Sequence, residues 1–240
     1  MKMRFQNSIM EVNMSSSLDF EYLYKNREEA YRELFNHIDV DNLDNNWIIV
    51  TTTLNNIEFI DELSKKLDLE YEPFFLEEIT APNNDECVIA TVSELKDIVI
   101  EKNLVRSFEI EEDWIYKEAE EIYNKNILTK LFAFKMGKTI ENIDGKNIMI
   151  FSDGCDIGLN IMCAVKSFLN YKAKKIFLYM PIISQDLYHS LDMIVDEIFV
   201  NHKIADFIRT SYYFENFDDI DLDKVRYILE NKRRKVEQTN

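Results

Sequence analysis

The stretch NIMIFSDGCDIGLN, residues 147–160, decides the fold class. An apolar run ends at Phe151, an acid follows at Asp153, glycines punctuate the loop at 154 and 158, and a helical apolar pattern continues to residue 171. A buried strand that leads through a short loop into a helix is the repeating unit of a parallel sheet. Backbone N–H groups at such a helix start can receive a phosphate. In many α/β proteins, however, the glycine of this corner serves only the turn, and both interpretations stay open here.

Strands and helices alternate on both sides of this stretch. The apolar patterns predict strands over 46–51, 71–76, 87–92, 97–101, 147–151, 175–180 and 197–200, and helices over 20–38, 57–67, 114–132, 158–171, 186–195 and 218–240. This order predicts an α/β fold, with a mainly parallel twisted sheet and helices on both faces. We expect a flexible arm over 1–18, one domain with a small hood formed by flanking segments over 19–219, and a C-terminal helix over 220–240. Ligands of such sheets bind beyond the carboxyl ends of the strands, at the switch point.

Composition and charge exclude several classes of protein. The chain has 240 residues with only 4 glycines and 3 prolines, which argues against fibrous and low-complexity proteins. Its net charge of −17 disfavours binding to nucleic acid. No apolar run approaches the length of a membrane span, and the first residues lack the apolar core of a signal peptide. The three cysteines and three histidines show no metal-ligand spacing. We therefore expect a cytoplasmic protein with no membrane partner and no metal site of its own.

Several segments, taken in order, carry a resemblance to a known family. They are NREEA at 26–30, APNNDE at 81–86 before VIATV at 88–92, FSDGCDIGLN at 151–160, the run 176–182 followed by 196–198, and the aromatic residues 207, 213, 214 and 217. Together they resemble a predicted bacterial family of type I phosphoribosyltransferases, from about Phe20 to Asp219. The resemblance implies a phosphoribosyltransferase-like fold, magnesium as a cofactor if the protein is active, and a homodimer as one option. It also implies a loop that binds phosphoribosyl diphosphate, made of Ser152, Asp153, Gly154, Cys155, Asp156, Ile157, Gly158, Leu159 and Asn160.

Within that loop the chain departs from the family's pattern. Ser152 stands in place of the first of two acids that hold the ribose hydroxyls, so only Asp153 is retained. Ile157 and Asn160 stand where threonines are usual. Asp156 is expected to bring a carboxylate into the phosphate cradle, where like charges repel.

The side that would contact the leaving diphosphate departs as well. Thr52, Thr53, Leu54 and Asn55 stand where the family has a Pro-Arg-Gly-Gly type of turn. The acids Glu77 and Glu78 replace a basic pair. Cations and hydrogen-bond donors must stabilise the charge that develops on a departing diphosphate, so these acids have the wrong sign.

The sequence thus favours a phosphoribosyltransferase-like protein with a degenerate active site, which binds a small phosphorylated ligand or a protein partner. Two alternatives remain: an active phosphoribosyltransferase with a nucleobase-like acceptor, and a pure interaction scaffold. Cys155 is either an activated thiolate or a small turn residue, and the aromatic residues near 212–217 either stack on a base or pack against the last helix. The basic residues nearest the expected cleft in sequence order are Lys135, Lys138, Lys203 and Arg209.

Overall fold

The computed structural model describes residues 22–38, 40 and 43–239. The expected arm over 1–18 lies outside the described residues. The strands are β1 (Trp47–Thr51), β2 (Glu70–Pro73), β3 (Leu76–Ala81), β4 (Asn84–Ser93), β5 (Ile98–Ile100), β6 (Asn147–Phe151), β7 (Lys175–Ser184) and β8 (Glu197–Ile204). The helices are α1 (Arg27–Phe35), α2 (Ile57–Leu67), α3 (Lys102–Ser107), α4 (Glu112–Ile122), α5 (Leu128–Lys135), α6 (Leu159–Asn170), α7 (Gln185–Asp192) and α8 (Leu222–Thr239).

A five-stranded parallel sheet in the order β2-β1-β6-β7-β8 forms the centre of the fold. Even-numbered residues of β1 and β6, such as Ile150, pack with α6, whereas odd-numbered ones, such as Ile49, pack with α1 and α2. Side chains alternate across a strand, so burial on both faces requires the apolar runs seen in the sequence. The predicted fold class, α/β with helices on both faces of a parallel sheet, is confirmed. Val200 is only half-buried because β8 is an edge strand.

A second sheet, β3-β4-β5, is antiparallel and is inserted in the chain between β2 and β6. Helix α6 packs between the two sheets, where the Thr91 hydroxyl of β4 donates to Asn160 of α6 (3.0 Å). Strands were predicted at 87–92 and 97–101, where β4 and β5 lie, but the strand β3 and the short helix α3 were not predicted. The chain of the insertion continues through α4, a π-helical turn at Tyr123–Ile127 and α5.

Several predicted boundaries differ from the structure, and two of the differences have a clear physical reason. The run 71–76 is two strands, because the chain leaves the parallel sheet after Pro73 and enters the antiparallel one at Leu76. The first helix begins at Arg27 rather than at residue 20, since the Asn26 side chain caps it by accepting from the Glu29 amide (3.0 Å). Just before this cap, Tyr24 instead forms a parallel bridge with Phe214.

Lysines cover the open edge of the parallel sheet at β2. Lys232 of α8 donates to the Tyr71 carbonyl and to Glu72 (2.8 Å). Lys135, at the end of α5, donates to the Pro73 carbonyl (3.1 Å). The edge carbonyls are therefore satisfied by side chains rather than by another strand. Across the described part of the chain, no helix combines the length and apolar character that a membrane span needs.

Candidate functional site

The direction of strand order reverses between β1 and β6, and this point is where α/β sheets of this order bind ligands. The loops that follow the two strands meet there, since the Thr52 amide donates to the Phe151 carbonyl (3.1 Å). Loop 152–158 and loop 52–56 therefore lie together, as the sequence predicted. The hydrogen bonds of this site converge on Asp153.

Both carboxylate oxygens of Asp153 are bonded within the chain. The Arg27 Nε donates to Oδ2 (2.9 Å), and the Tyr31 hydroxyl donates to Oδ1. Tyr31 in turn accepts from the Asn56 amide (2.9 Å), and Asn56 accepts from the Thr51 hydroxyl (2.5 Å). A continuous chain of hydrogen bonds thus joins α1, loop 152–158, the start of α2 and the end of β1.

Burial governs the protonation of this network. Asp153 is only 8% exposed, and desolvation raises its pKa, which the neighbouring Arg27 charge partly offsets. Burial and the Asp153 charge hold the pKa of Tyr31 well above its usual value, so its hydroxyl stays a donor at neutral pH. With these partners in place, Asp153 acts as an internal acceptor and is shielded from solvent.

Arg27 also contacts the segment Phe214–Ile220, which we call the strap. Its guanidinium donates to the Asp218 carbonyl, lies 3.9 Å from the Asp219 carboxylate and stacks on the Phe217 ring at 3.6 Å. One side chain therefore links the buried acid to a segment that crosses the carboxyl edge of the sheet.

Loop 52–56 and the chain before α1 hold the strap from two further sides. The Asn55 side chain donates to Asp219 (2.9 Å) and accepts from the Ile220 amide (3.0 Å). The strap amides at 215 and 216 each donate, at 2.9 Å, to the carbonyls at 24 and 25. Asn55, which the resemblance placed on the diphosphate side, therefore anchors the strap.

Asp156 caps the 3₁₀ turn Thr210–Tyr213. It accepts from the Thr210 amide (2.7 Å) and hydroxyl (2.5 Å). Thr210 also lies against Gly154, where an added Cβ would stand 2.7 Å from the threonine side chain. The Asp156 carboxylate is thus engaged with the turn of residues 210–213, a role that the sequence did not indicate.

Loop 152–158 also contains a buried thiol, that of Cys155. Cys155 Sγ accepts from the Gly158 amide (3.0 Å), and burial raises the pKa of this thiol to about 11. It is therefore a turn residue rather than a thiolate. Gly158 has φ +80° and packs so closely on Leu187 that a Cβ would lie 2.6 Å from it. Ile157 remains exposed at the surface.

The two acids of β3 diverge, as neighbours on a strand must. Glu78 accepts from the Asn160 amide (2.7 Å), which brings two of the predicted site residues together. Glu77 instead pairs with Lys130 (2.5 Å) and accepts from Asn126 (3.2 Å) on the opposite face. Only Glu78 therefore lies next to the start of α6.

Two of the four basic residues predicted near the cleft, Lys135 and Lys203, have partners of other kinds. Lys135 is buried beside Glu94 (2.6 Å), near β2, and Lys203 lies over the Tyr188 ring at 3.2 Å. The cation at the switch point is Arg27, to which the sequence reading assigned no role. One signal was available, because a cation in the first turn of a helix opposes the helix dipole and needs a partner elsewhere.

A groove of about 970 Å³ opens between α1, α2 and residues 216–224. Its lining includes Arg27, Tyr31, Asn55 and Asn56, with Phe59 among its apolar residues. Arg27 and Tyr31 thus stand between this groove and Asp153. The groove reaches the switch point at Asn55 and Asn56, which lie in the loop that follows β1.

The residues at this site do not fit a magnesium ion of their own. Both oxygens of Asp153 already accept from Arg27 and Tyr31. Within residues 22–38, 40 and 43–239, no group of three acidic, histidine or cysteine side chains lies together to hold a metal ion by itself.

No protein-family model matches the chain. Among solved structures, the protein TT1426 of Thermus thermophilus aligns over 87% of this chain and 98% of its own, with 16% identity and a TM-score of 0.67. A hypoxanthine phosphoribosyltransferase of Staphylococcus aureus aligns over 78% of both chains, with 14% identity and a TM-score of 0.44. A purine phosphoribosyltransferase of Pyrococcus horikoshii aligns over 80% of this chain and 93% of its own, with 13% identity and a TM-score of 0.40. The first likeness shows the fold alone, and the other two are too distant to bear on the site.

Proposed function

We propose that this chain is a phosphoribosyltransferase-like protein that does not catalyse efficient transfer and acts by binding a small phosphorylated ligand or a protein partner. The observation that carries the proposal is the bonding of Asp153 to Arg27 and Tyr31. A ribose would need this acid as an acceptor for its hydroxyls. Here the acid is buried, and its two donors belong to α1.

The charges around the switch point support the same proposal. A departing diphosphate needs cations or aligned donors where its charge develops. The loop 52–55 carries no cation. Glu78 accepts a hydrogen bond from Asn160, in the first turn of α6, next to the predicted phosphate-binding loop. The guanidinium of Arg27 is engaged with Asp153 and the Asp218 carbonyl.

The test is an assay of diphosphate release. Purified protein is given phosphoribosyl diphosphate, magnesium and a panel of purine and pyrimidine bases, beside an active phosphoribosyltransferase as positive control. We expect release at the background rate. Turnover at an ordinary enzymatic rate, ~1 s⁻¹ or more, would reject the proposal in favour of an active transferase.

Calorimetric titration with phosphoribosyl diphosphate and magnesium then separates the two binding roles. Heat that fits a sub-millimolar site supports a small phosphorylated ligand. The absence of heat, both in the unmodified protein and in Asn55→Ala, which loses two hydrogen bonds to the strap, supports a protein partner.

A further inference from the structure

We propose that the strap, Phe214–Ile220, and Arg27 form an intramolecular lid that competes with ligand for Asp153, so that the site is autoinhibited in the closed state described here. This inference rests on the proposed binding function and names the regulation of that same site. Release of the lid would expose a buried carboxylate at the switch point of the sheet.

The chemistry at Asp153 supports competition. Each carboxylate oxygen accepts one donor, an N–H of Arg27 and the O–H of Tyr31. A vicinal diol offers two O–H donors with which to replace them. The two internal donors therefore occupy the positions that such a ligand would take, and both also line the adjacent groove of about 970 Å³.

The geometry of Arg27 couples the acid to the lid. Its planar fork spans the Asp153 carboxylate on one side and the Asp218 carbonyl on the other, while its face rests on Phe217. A guanidinium holds several partners in fixed directions, so movement of the strap disturbs the contact with Asp153.

Between its buried first residue, Phe214, and Ile220, the lid is mostly exposed and is held largely by polar contacts. Four of its seven residues are exposed, namely 215, 216, 218 and 219. Apart from the apolar contacts of Phe214, Phe217 and Ile220, its attachments are polar: hydrogen bonds to Asn55, Arg27 and the carbonyls at 24 and 25, and the ion pair of Asp219 with Arg27. Segments with few apolar contacts open at a lower free energy than the core.

The first experiment measures amide hydrogen exchange in Asn55→Ala. This change removes two hydrogen bonds to the far end of the strap and no charge. We expect exchange at amides 215 and 216 to accelerate together with that at 220, roughly 5- to 30-fold. Asn170→Ala, which loses a comparable exposed bond to Asp97, is the matched control and leaves these amides unchanged. Acceleration confined to residue 220 would show that the strap does not open as a unit, and the proposal would fall.

The second experiment measures binding of ribose 5-phosphate, which carries a vicinal diol and a phosphate but no leaving group. Asn55→Ala is expected to bind it at least tenfold more tightly than the unmodified protein. Arg27→Lys, which keeps a cation without the fork, is expected to gain affinity as well. Arg226→Lys, at a residue that pairs with Asp223 on α8 and is not part of the groove lining, is the control and is not expected to gain affinity. Open variants that stay folded and bind no better would overturn the lid. Catalytic turnover by the unmodified protein would instead overturn the proposed function, so the two failures are distinguishable.

Discussion

Replacement of Lys135 by methionine tests the most deeply buried charge pair described here. The Lys135 side chain is 5% exposed and that of Glu94 is fully buried, with 2.6 Å between Nζ and Oε1. Glu94 also accepts from the amides of Phe75 (2.9 Å) and Ile140 (2.7 Å). Lys135→Met leaves this carboxylate without its cation and is expected to lower the free energy of unfolding by about 3–5 kcal/mol. That loss is a large part of the total for a domain whose stability is of the order of 5–15 kcal/mol.

The loss of unfolding free energy caused by Lys135→Met is expected to depend on pH. Burial already raises the pKa of Glu94, and Lys135 is the main influence that lowers it. Without Lys135 the folded-state pKa rises further above the unfolded value, so the native state binds a proton more tightly than the unfolded chain does. The variant therefore loses stability as pH rises between these two pKa values. Its deficit should be smallest near pH 4 and largest near neutrality.

Urea unfolding, followed by circular dichroism across this pH range, measures the effect. Lys130→Met is a matched control on the same helix, because Lys130 is 42% exposed where it pairs with Glu77. It should cost less than about 1 kcal/mol. The double variant Glu94→Gln with Lys135→Met should recover part of the loss, since no buried charge is left unpaired. A deficit in Lys135→Met as small as that of the control, or one that grows toward acid, would refute the reasoning.

Three further predictions concern the loop after β6. Because burial raises the pKa of Cys155 to about 11, only roughly a thousandth of this thiol is ionised at about pH 8. A thiol reagent should therefore modify the partly exposed Cys87 first and the buried Cys155 only on unfolding. Gly158→Ala should lower the free energy of unfolding by about 1–2 kcal/mol, because φ +80° is costly for alanine and its Cβ would crowd Leu187; thermal unfolding measures this. Asp156→Ala should lower the free energy of unfolding by roughly 1 kcal/mol and speed amide exchange at residue 210, because it removes the acceptor of the Thr210 amide and hydroxyl. Asp156→Asn should retain part of this bonding, so equal exchange at residue 210 in both variants would count against the role of Asp156.

Local pattern was enough to predict most of the parallel sheet. The apolar run at Asn147–Phe151 has the predicted bounds because burial on both faces leaves few polar residues in such a strand. The helix Ile57–Leu67 has the predicted bounds because its buried residues, Ile57, Ile60 and Leu63, recur at helical spacing. The strand β3 was not predicted because Glu77 and Glu78, adjacent within it, interrupt its apolar pattern. Its place is set by pairing with β4, which is a contact between segments and not a local preference.

Topology was enough to predict which loops meet, but the partners of their side chains were not predicted. Loops 52–56 and 152–158 meet where the strand-order rule placed them. The partners of their side chains come from distant segments: Arg27 and Asp153 are 126 positions apart, and Thr210 and Asp156 are 54 apart. Whether an acid faces a ligand or a neighbouring side chain depends on these long-range contacts, and a single sequence does not specify them.

The lysines on the open edge of β2 bear on how this protein avoids aggregation. An uncovered edge strand invites edge-to-edge pairing with another molecule. Here the Pro73 nitrogen has no proton to donate. The ammonium group of Lys135, on α5, donates to the Pro73 carbonyl, and that of Lys232, on α8, donates to the Tyr71 carbonyl. Part of this protection comes from the last helix, far from the sheet in sequence. Proteolytic loss of the chain beyond about residue 230 would therefore uncover the edge at Tyr71 before it removed any strand, and would yield a species prone to self-association while its parallel sheet remained complete.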